Sequence, residues 1–386
     1  MKRYFLFTLP IFILISFAGC SNSNEEKIDT SASKNTNNST AFDSKQASTN
    51  EPSVKQEEKI VYTGDYELPL NGSTGFAAID LQLKEELNWE SPTVTVVKES
   101  TNFCILAEKN GWINVKLSDG STGWLPSQHC FINLPDIIPS IIYKNTNSER
   151  AIFKSSYESI PNITDQLLYE SKTFNDRLNQ EQFIIPILFP VAKKIMNAQK
   201  KALQENNTLI IYEGFRPWDV QQKIAANLQS LAQSNPNIMN GLNQPPWSID
   251  WFISTKVSNH QIGYAIDVSL GKVTNFVEKI IGDYKVTTVD TYEEYQMQTP
   301  MHELSLKSAI FTVPIPSLSL DWQQGVLSQN VNDYTVLLQK YLTESGLTPL
   351  ASEWWHFNDL DAYRLLENKL GTGNYRLDSI VSTVPN

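Results

Sequence analysis

Between Ser21 and Lys59 the chain has almost nothing to bury: serine, asparagine, threonine, lysine and glutamate dominate, apolar residues are isolated, and no period of 2 or 3.6 runs through them. Such a segment cannot repay the entropy of ordering itself. Of the 386 residues, the fold must therefore be built from position 61 onward. Residues 20–60 read as a flexible tether with a root-mean-square span of roughly 30–40 Å. Ahead of it, Lys2 and Arg3 precede a mostly apolar run from Tyr4 to Ala18, broken by Pro10. That run is shorter than the ~20 residues a membrane-spanning helix needs. Residues 1–19 are therefore expected to be an export signal, and the rest extracytoplasmic.

The signal ends Phe17-Ala18-Gly19-Cys20, small residues directly before a cysteine. This resembles the lipobox of bacterial lipoproteins. The resemblance implies cleavage ahead of Cys20, lipidation on its thiol and a lipid anchor in the membrane. Two cysteines remain, Cys104 and Cys130, and an exported even pair is a candidate disulfide. Closing that loop would stabilise by roughly 3–4 kcal/mol. Two buried free thiols are the alternative.

Residues 61–135 are dominated by short β signals. Thr93 to Val97, Phe103 to Leu106 and Trp112 to Leu117 are rich in β-branched and aromatic residues, and Ser118-Asp119-Gly120 punctuates them as a hairpin turn. A small all-β barrel is expected. Gly111-Trp112-x-x-Val115 followed by Gly123-Trp124-Leu125-Pro126 resembles bacterial SH3-like domains. That resemblance would give Trp112 and Trp124 a part in binding wall peptide; filling the barrel core is the simpler role for each.

After Pro135–Pro139 the composition becomes mixed, and residues 136–386 read as one larger domain. Phe183 to Gln204 places apolar clusters at helical spacing, and Thr208 to Glu213 reads as a buried strand. Gly214-Phe215-Arg216-Pro217 is a turn opening a helix, because proline suits a first helical turn. Gly263 to Leu270 is a further strand, with Ala265, Asp267 and Ser269 on one face. Strands and helices intersperse without a βαβ period, so the fold class is α+β.

A net charge of −11 argues against a nucleic-acid partner, and neither G-x-G-x-x-G nor a P-loop occurs, so a nucleotide has no sequence support. The four histidines are His129, His260, His302 and His356. His260 lies seven residues before Asp267, which on a continuous strand would face them apart; a turn at Gly263 would let them share a ligand. Glu353-Trp354-Trp355-His356 sets a carboxylate three residues before a histidine. Two imidazoles and a carboxylate suit a zinc ion with one position open to water. A carboxylate off the metal could take that water's proton, and Arg216 on a rigid turn could hold an oxyanion.

Gly214-Phe215-Arg216-Pro217, Ser258-x-His260-x-x-Gly263-x-Ala265-x-Asp267 and Glu353-x-Trp355-His356 occur in that order. Together they resemble the zinc D,D-peptidases of the VanX/VanY type. The resemblance implies one Zn2+ held by His260, Asp267 and His356, Glu353 as general base, Arg216 stabilising the tetrahedral intermediate, and Ser258 beside the substrate. The double tryptophan is more VanX-like. It implies hydrolysis of the D-alanyl-D-alanine bond, with the free dipeptide or a peptidoglycan stem peptide as substrate. A D,D-carboxypeptidase and an inactive wall-binding lipoprotein are the alternatives. In the segment that carries an ammonium-binding aspartate in VanX-type enzymes this chain has Gln296, with Glu293 and Glu294 as substitutes. Trp247 and Trp251 lie in a region that could wall the pocket.

His302-Glu303-Leu304-Ser305-Leu306 begins like H-E-x-x-H but lacks the second histidine, leaving His302 unassigned. No G-x-S-x-G occurs, and neither S-x-x-K match has a partner motif, so serine chemistry is disfavoured. His129, beside Cys130, reads as structural.

Overall fold

The computed structural model describes residues 59–385. The expected signal, Cys20 and all but the last two residues of the tether lie outside them. Seven strands form in the β-rich region: β1 Thr74–Ala77, β2 Leu81–Lys84, β3 Thr93–Val97, β4 Asn102–Lys109, β5 Trp112–Lys116, β6 Thr122–Pro126 and β7 Cys130–Asn133. The expected turn joins β5 to β6: Gly120 sits at φ +88°, and Asp119 accepts the Ser121 N–H at 2.8 Å. Trp112 is buried against Trp89, ring centroids 4.9 Å apart, while Trp124 is half-buried.

Next come β8 Ile142–Tyr143, two short hairpins (β9 Lys154–Ser155 with β10 Glu158–Ser159, β11 Lys172–Asn175 with β12 Gln180–Phe183) and β13 Pro186–Leu188. The first sheet runs β13-β7-β1-β4-β5-β6-β2-β3. It is an open sheet with β13 and β3 at its two ends, not the closed barrel expected from the sequence. β7 has its two edges taken by β1 and β13, and among the described residues no pairing joins β13 to β3.

Cys104 and Cys130 are free thiols, which corrects the candidate disulfide. They lie on β4 and β7, on opposite sides of β1, facing Thr74 and Ala77 respectively. Two inter-strand steps of about 4.8 Å, with an offset along the strand, exceed the ~7 Å Cα separation a disulfide tolerates.

The remaining elements are α1 Phe189–Gln204, β14 Asn207–Glu213, α2 Trp218–Ser234, α3 Pro236–Leu242, α4 Asn259–Ile262, β15 Ala265–Ile281, β16 Tyr284–Glu294, α5 Asp333–Thr343, β17 Thr348–Leu350, β18 Glu353–Asn358 and α6 Leu360–Leu365. The helix expected from Phe183 begins at Phe189, because residues 186–188 pair with β7 instead. Its buried face is Val191, Ala192, Ile195, Ala198 and Ala202, at helical spacing. The second sheet is ordered β17-β18-β15-β14-β8, with β16 paired to the outer length of β15. All its pairings are antiparallel except β14 with β8.

No separate core divides the chain at residue 135. One continuous cluster includes Phe76 and Phe131 of the first sheet and Leu209, Trp355 and Phe357 of the second. Phe131 packs edge-on against Phe215, centroids 5.5 Å apart. The C-terminal segment returns to the first sheet, where Thr383 N–H donates to Gly72 O at 2.8 Å.

Candidate metal centre

Three adjacent strands align the acidic and imidazole groups. Asp267 on β15 stands opposite Glu213 on β14 and opposite His356 on β18. Cross-strand partners share a face and lie about 5 Å apart at Cβ, so the three side chains form a row by register alone. His260 reaches the row from outside the sheet. It sits in α4, whose C-terminal Gly263 adopts φ +92°, a left-handed value that reverses the chain into β15. A side chain at Gly263 would also strike the Phe131 ring, 2.0 Å from the Cβ it would need. The turn expected there thus brings His260 and Asp267 together.

The ligand atoms form a nearly equilateral triangle. His260 Nε2 lies 3.1 Å from His356 Nδ1, and Asp267 Oδ1 lies 3.2 Å from the first and 3.1 Å from the second. For a tetrahedral ion with ~2.0 Å bonds, ligand atoms should stand about 3.3 Å apart. The outer nitrogens are already committed. His260 Nδ1 donates to Gly214 O at 2.7 Å, and His356 Nε2 donates to Asn358 Oδ1 at 3.0 Å. With the outer nitrogens donating, the neutral rings turn two lone pairs toward a carboxylate oxygen, an arrangement that calls for a cation, either a proton or a metal ion, among them. The donor set fits zinc.

A second group of ligand-capable atoms, Glu213, Asp267 and His302, shares Asp267 with the first. Here a cation is built in. Arg216 donates from Nε to Glu213 Oε2 at 2.8 Å, and from Nη2 both to that oxygen and to Asp267 Oδ2 at 3.1 Å. Its Nη1 donates to Gln221 Oε1 at 2.7 Å. Four of five guanidinium N–H groups are thereby used, and one on Nη1 is left for a ligand.

Glu353 Oε2 stands 3.8 Å from His356 Nδ1, beside the triangle and not within it. Burial is the main cause that raises its carboxyl to about 8, with the Asp267 charge adding and the His356 and Arg216 charges opposing. Burial also works against the Asp267 anion, but the facing His260, His302 and His356 rings hold its carboxyl well below the usual range. Two carboxylates 86 positions apart in the chain thus meet with opposite proton affinities.

Arg216, Ser258, His260, Glu353 and His356 all line one cavity of about 240 Å³. Trp251, Phe252 and Val257 wall it, whereas Trp247 is buried behind, 6.2 Å from Trp251. Asp250 is the other carboxylate on its lining. Gln296, which stands where the ammonium-binding aspartate was expected, and the substitute Glu294 line a different cavity of about 620 Å³. Glu294 is engaged there by Lys144 Nζ at 2.7 Å and Tyr212 OH at 2.9 Å. Glu213 and His302 were not legible as site residues. His302 donates from Nε2 to Asp267 Oδ2 at 3.1 Å, a contact across 35 positions with no local motif.

No family model matches this chain, and no curated protein matches it. Among solved structures, it aligns with a Zn(II)-bound mutant of the vancomycin resistance D,D-pentapeptidase VanY from a VanB-type cassette. That alignment covers 53% of this chain and 92% of the other, at 12% identity and a TM-score of 0.25.

Proposed function

We propose that this chain is a zinc-dependent hydrolase of the D-alanyl-D-alanine peptide bond, working outside the cytoplasm from a lipid anchor at Cys20. The observation that carries the zinc is the triangle of inward lone pairs, each imidazole's other nitrogen being tied down. When bound there, zinc supplies Lewis acidity, lowering the pKa of water toward 7 and polarising the scissile carbonyl. Glu353 takes the proton released as water attacks and passes it to the departing amine. Its raised proton affinity suits a group that must both accept and give. Arg216 directs its remaining Nη1–H at the oxygen where negative charge develops, from a guanidinium that Glu213 and Gln221 keep from reorienting. Ser258, at the mouth of α4, faces the acyl chain.

The bond's D,D stereochemistry rests on the motif resemblance. A free dipeptide carries an ammonium group, and Asp250 is the rim carboxylate placed to receive it; a stem peptide has no such group at that position. An inactive wall-binding role is disfavoured, since drift would be expected to erase some of Arg216, His260, Asp267, Glu353 and His356.

Mass spectrometry of products from free D-Ala-D-Ala and from a pentapeptide stem, offered side by side to zinc-loaded protein, tests the reading. Cleavage of the dipeptide alone makes it a dipeptidase, and release of D-Ala from the stem makes it a carboxypeptidase. Glu353→Ala should keep zinc and lose at least about 100-fold in turnover. Cleavage of neither substrate would sink the proposal.

A further inference from the structure

Asp267 divides its two oxygens between different tasks. Oδ1 faces His260 Nε2 and His356 Nδ1, at 3.2 and 3.1 Å. Oδ2 receives the Arg216 Nη2–H and the His302 Nε2–H, each at 3.1 Å. The split holds the carboxylate in one rotation, with one oxygen toward the triangle and the other turned away and doubly hydrogen-bonded.

His302 itself is constrained from every side. It is fully buried, and its ring lies flat on Phe153, centroids 4.2 Å apart and planes within 4°. Tyr212 and Trp355 meet it edge-on. Its backbone holds φ +58°, a left-handed conformation that a residue with a Cβ keeps only where its surroundings impose it. Those surroundings are visible. Lys154 N–H donates to His302 O at 3.1 Å, Leu304 N–H to Lys154 O at 2.7 Å, and Ser155 Oγ–H to Leu304 O at 2.6 Å. The other ring nitrogen, Nδ1, has no hydrogen-bond partner among the described residues. A histidine kept for packing would not need its backbone strained and its Nε2 aimed at a ligand's outer oxygen.

The geometry points to His302 as the positioning residue of the metal centre: its Nε2–H, with Arg216, fixes Asp267 as a one-oxygen ligand and so keeps the fourth zinc position open for water and substrate. This rests on the zinc reading above. Without the imidazole, Oδ2 keeps a single donor and can swing inward, which would let Asp267 bind through both oxygens. A second metal at Glu213, Asp267 and His302 is the competing use of the same atoms. The Arg216 guanidinium, which bridges Glu213 and Asp267, already supplies the positive charge there.

The test uses the full chain, with zinc affinity measured by chelator competition and the cobalt(II) derivative by visible absorption. Wild type should bind one zinc, with the intense d–d bands of a four-coordinate site. His302→Leu should still bind one, 10–100-fold more weakly, and its cobalt bands should fall in intensity toward a higher-coordinate site. His302→Gln, which keeps an N–H at similar reach, should recover affinity to within about threefold. If the histidine variants do not fold, Phe153→Leu, which removes the ring beneath His302, should weaken zinc and dim the cobalt bands in the same direction. Unchanged affinity and an unchanged spectrum in the folded variants would overturn the inference. So would two zinc ions in wild type falling to one in His302→Leu, since that makes His302 a ligand. Failure of wild type to bind zinc would instead sink the parent reading, a result distinct from both.

Discussion

Each sheet has buried histidine on it or beside it, and the two regions treat it in opposite ways. Beside the first sheet, in the 3-10 turn between β6 and β7, His129 is 2% exposed, its Nδ1 has no partner among the described residues, and burial first, with the Lys369 charge adding, pushes its pKa down to about 4. At the second, His356 on β18 and His260 on α4 beside the sheet are as deeply buried, yet each has one nitrogen anchored and the other aimed at Asp267. Burial is common to all three. Anchoring one nitrogen on a neutral oxygen while turning the other to Asp267 Oδ1 is what separates His260 and His356 from His129, and from His302, whose second nitrogen has no anchor among the described residues.

The largest effect that could break this contrast lies at the triangle. His356→Ala or His260→Ala should weaken zinc by more than about 100-fold, beyond the usual range for residues that only orient ligands. Wild type with zinc at a thousand times its dissociation constant gains about 4 kcal/mol of stability, and these variants should lose most of that gain in thermal or denaturant melts. Equal zinc-linked stabilisation in wild type and both variants would mean that the triangle is not the metal site.

His129 sharpens the comparison from the other side, because its contribution should depend on pH and not on metal. Its folded pKa of about 4 lies below the ordinary value of 6.5, so between those values the unfolded chain holds more protons. The corresponding stability is complete above pH 6.5 and is lost as pH falls toward 4. The effect is on the order of 2 kcal/mol, short of the full linkage value because the ring keeps some access to water. Denaturant unfolding of the metal-free protein at pH 7 and pH 4.5 should show a smaller drop for His129→Leu than for wild type. The same drop in both would mean the ring carries a proton, or a polar partner, inside the fold.

How much was legible in the sequence follows the range of each interaction. The turns at Gly120 and Gly263, the strand ending at Glu213 and the helix after Pro217 are set by neighbours a few positions away, and the residues announce them. The grouping of the triangle was legible because two short motifs carry its residues, His260 with Asp267 in one and His356 in the other. What was hidden depends on distant pairing. Residues 186–188 look helical locally but pair with β7, at one end of the open first sheet. His302 belongs to no motif, and only the pairing of Lys154 with residues 302–304 brings it to Asp267. Glu213 shows only as the end of a buried strand, and its partner Arg216 was assigned to substrate alone.

The smallest expected effect concerns the thiols, where the first sheet again buries a reactive group without giving it a task. Cys130 is fully buried, with its Sγ 3.5 Å from Pro126 O, and burial pushes its thiol well above the ordinary range, which makes it unreactive. Cys104 is half-buried on a different strand with β1 in between. A reductant should therefore leave the melting temperature unchanged, and Cys104→Ser should shift stability by no more than about 0.5 kcal/mol. A disulfide between them would instead be worth about 2–4 kcal/mol and its reduction would lower the melting temperature by several degrees. A shift of that size would require β1 to leave the space between β4 and β7, and with it the register that closes the Phe131 side of the core behind Gly263 and His260.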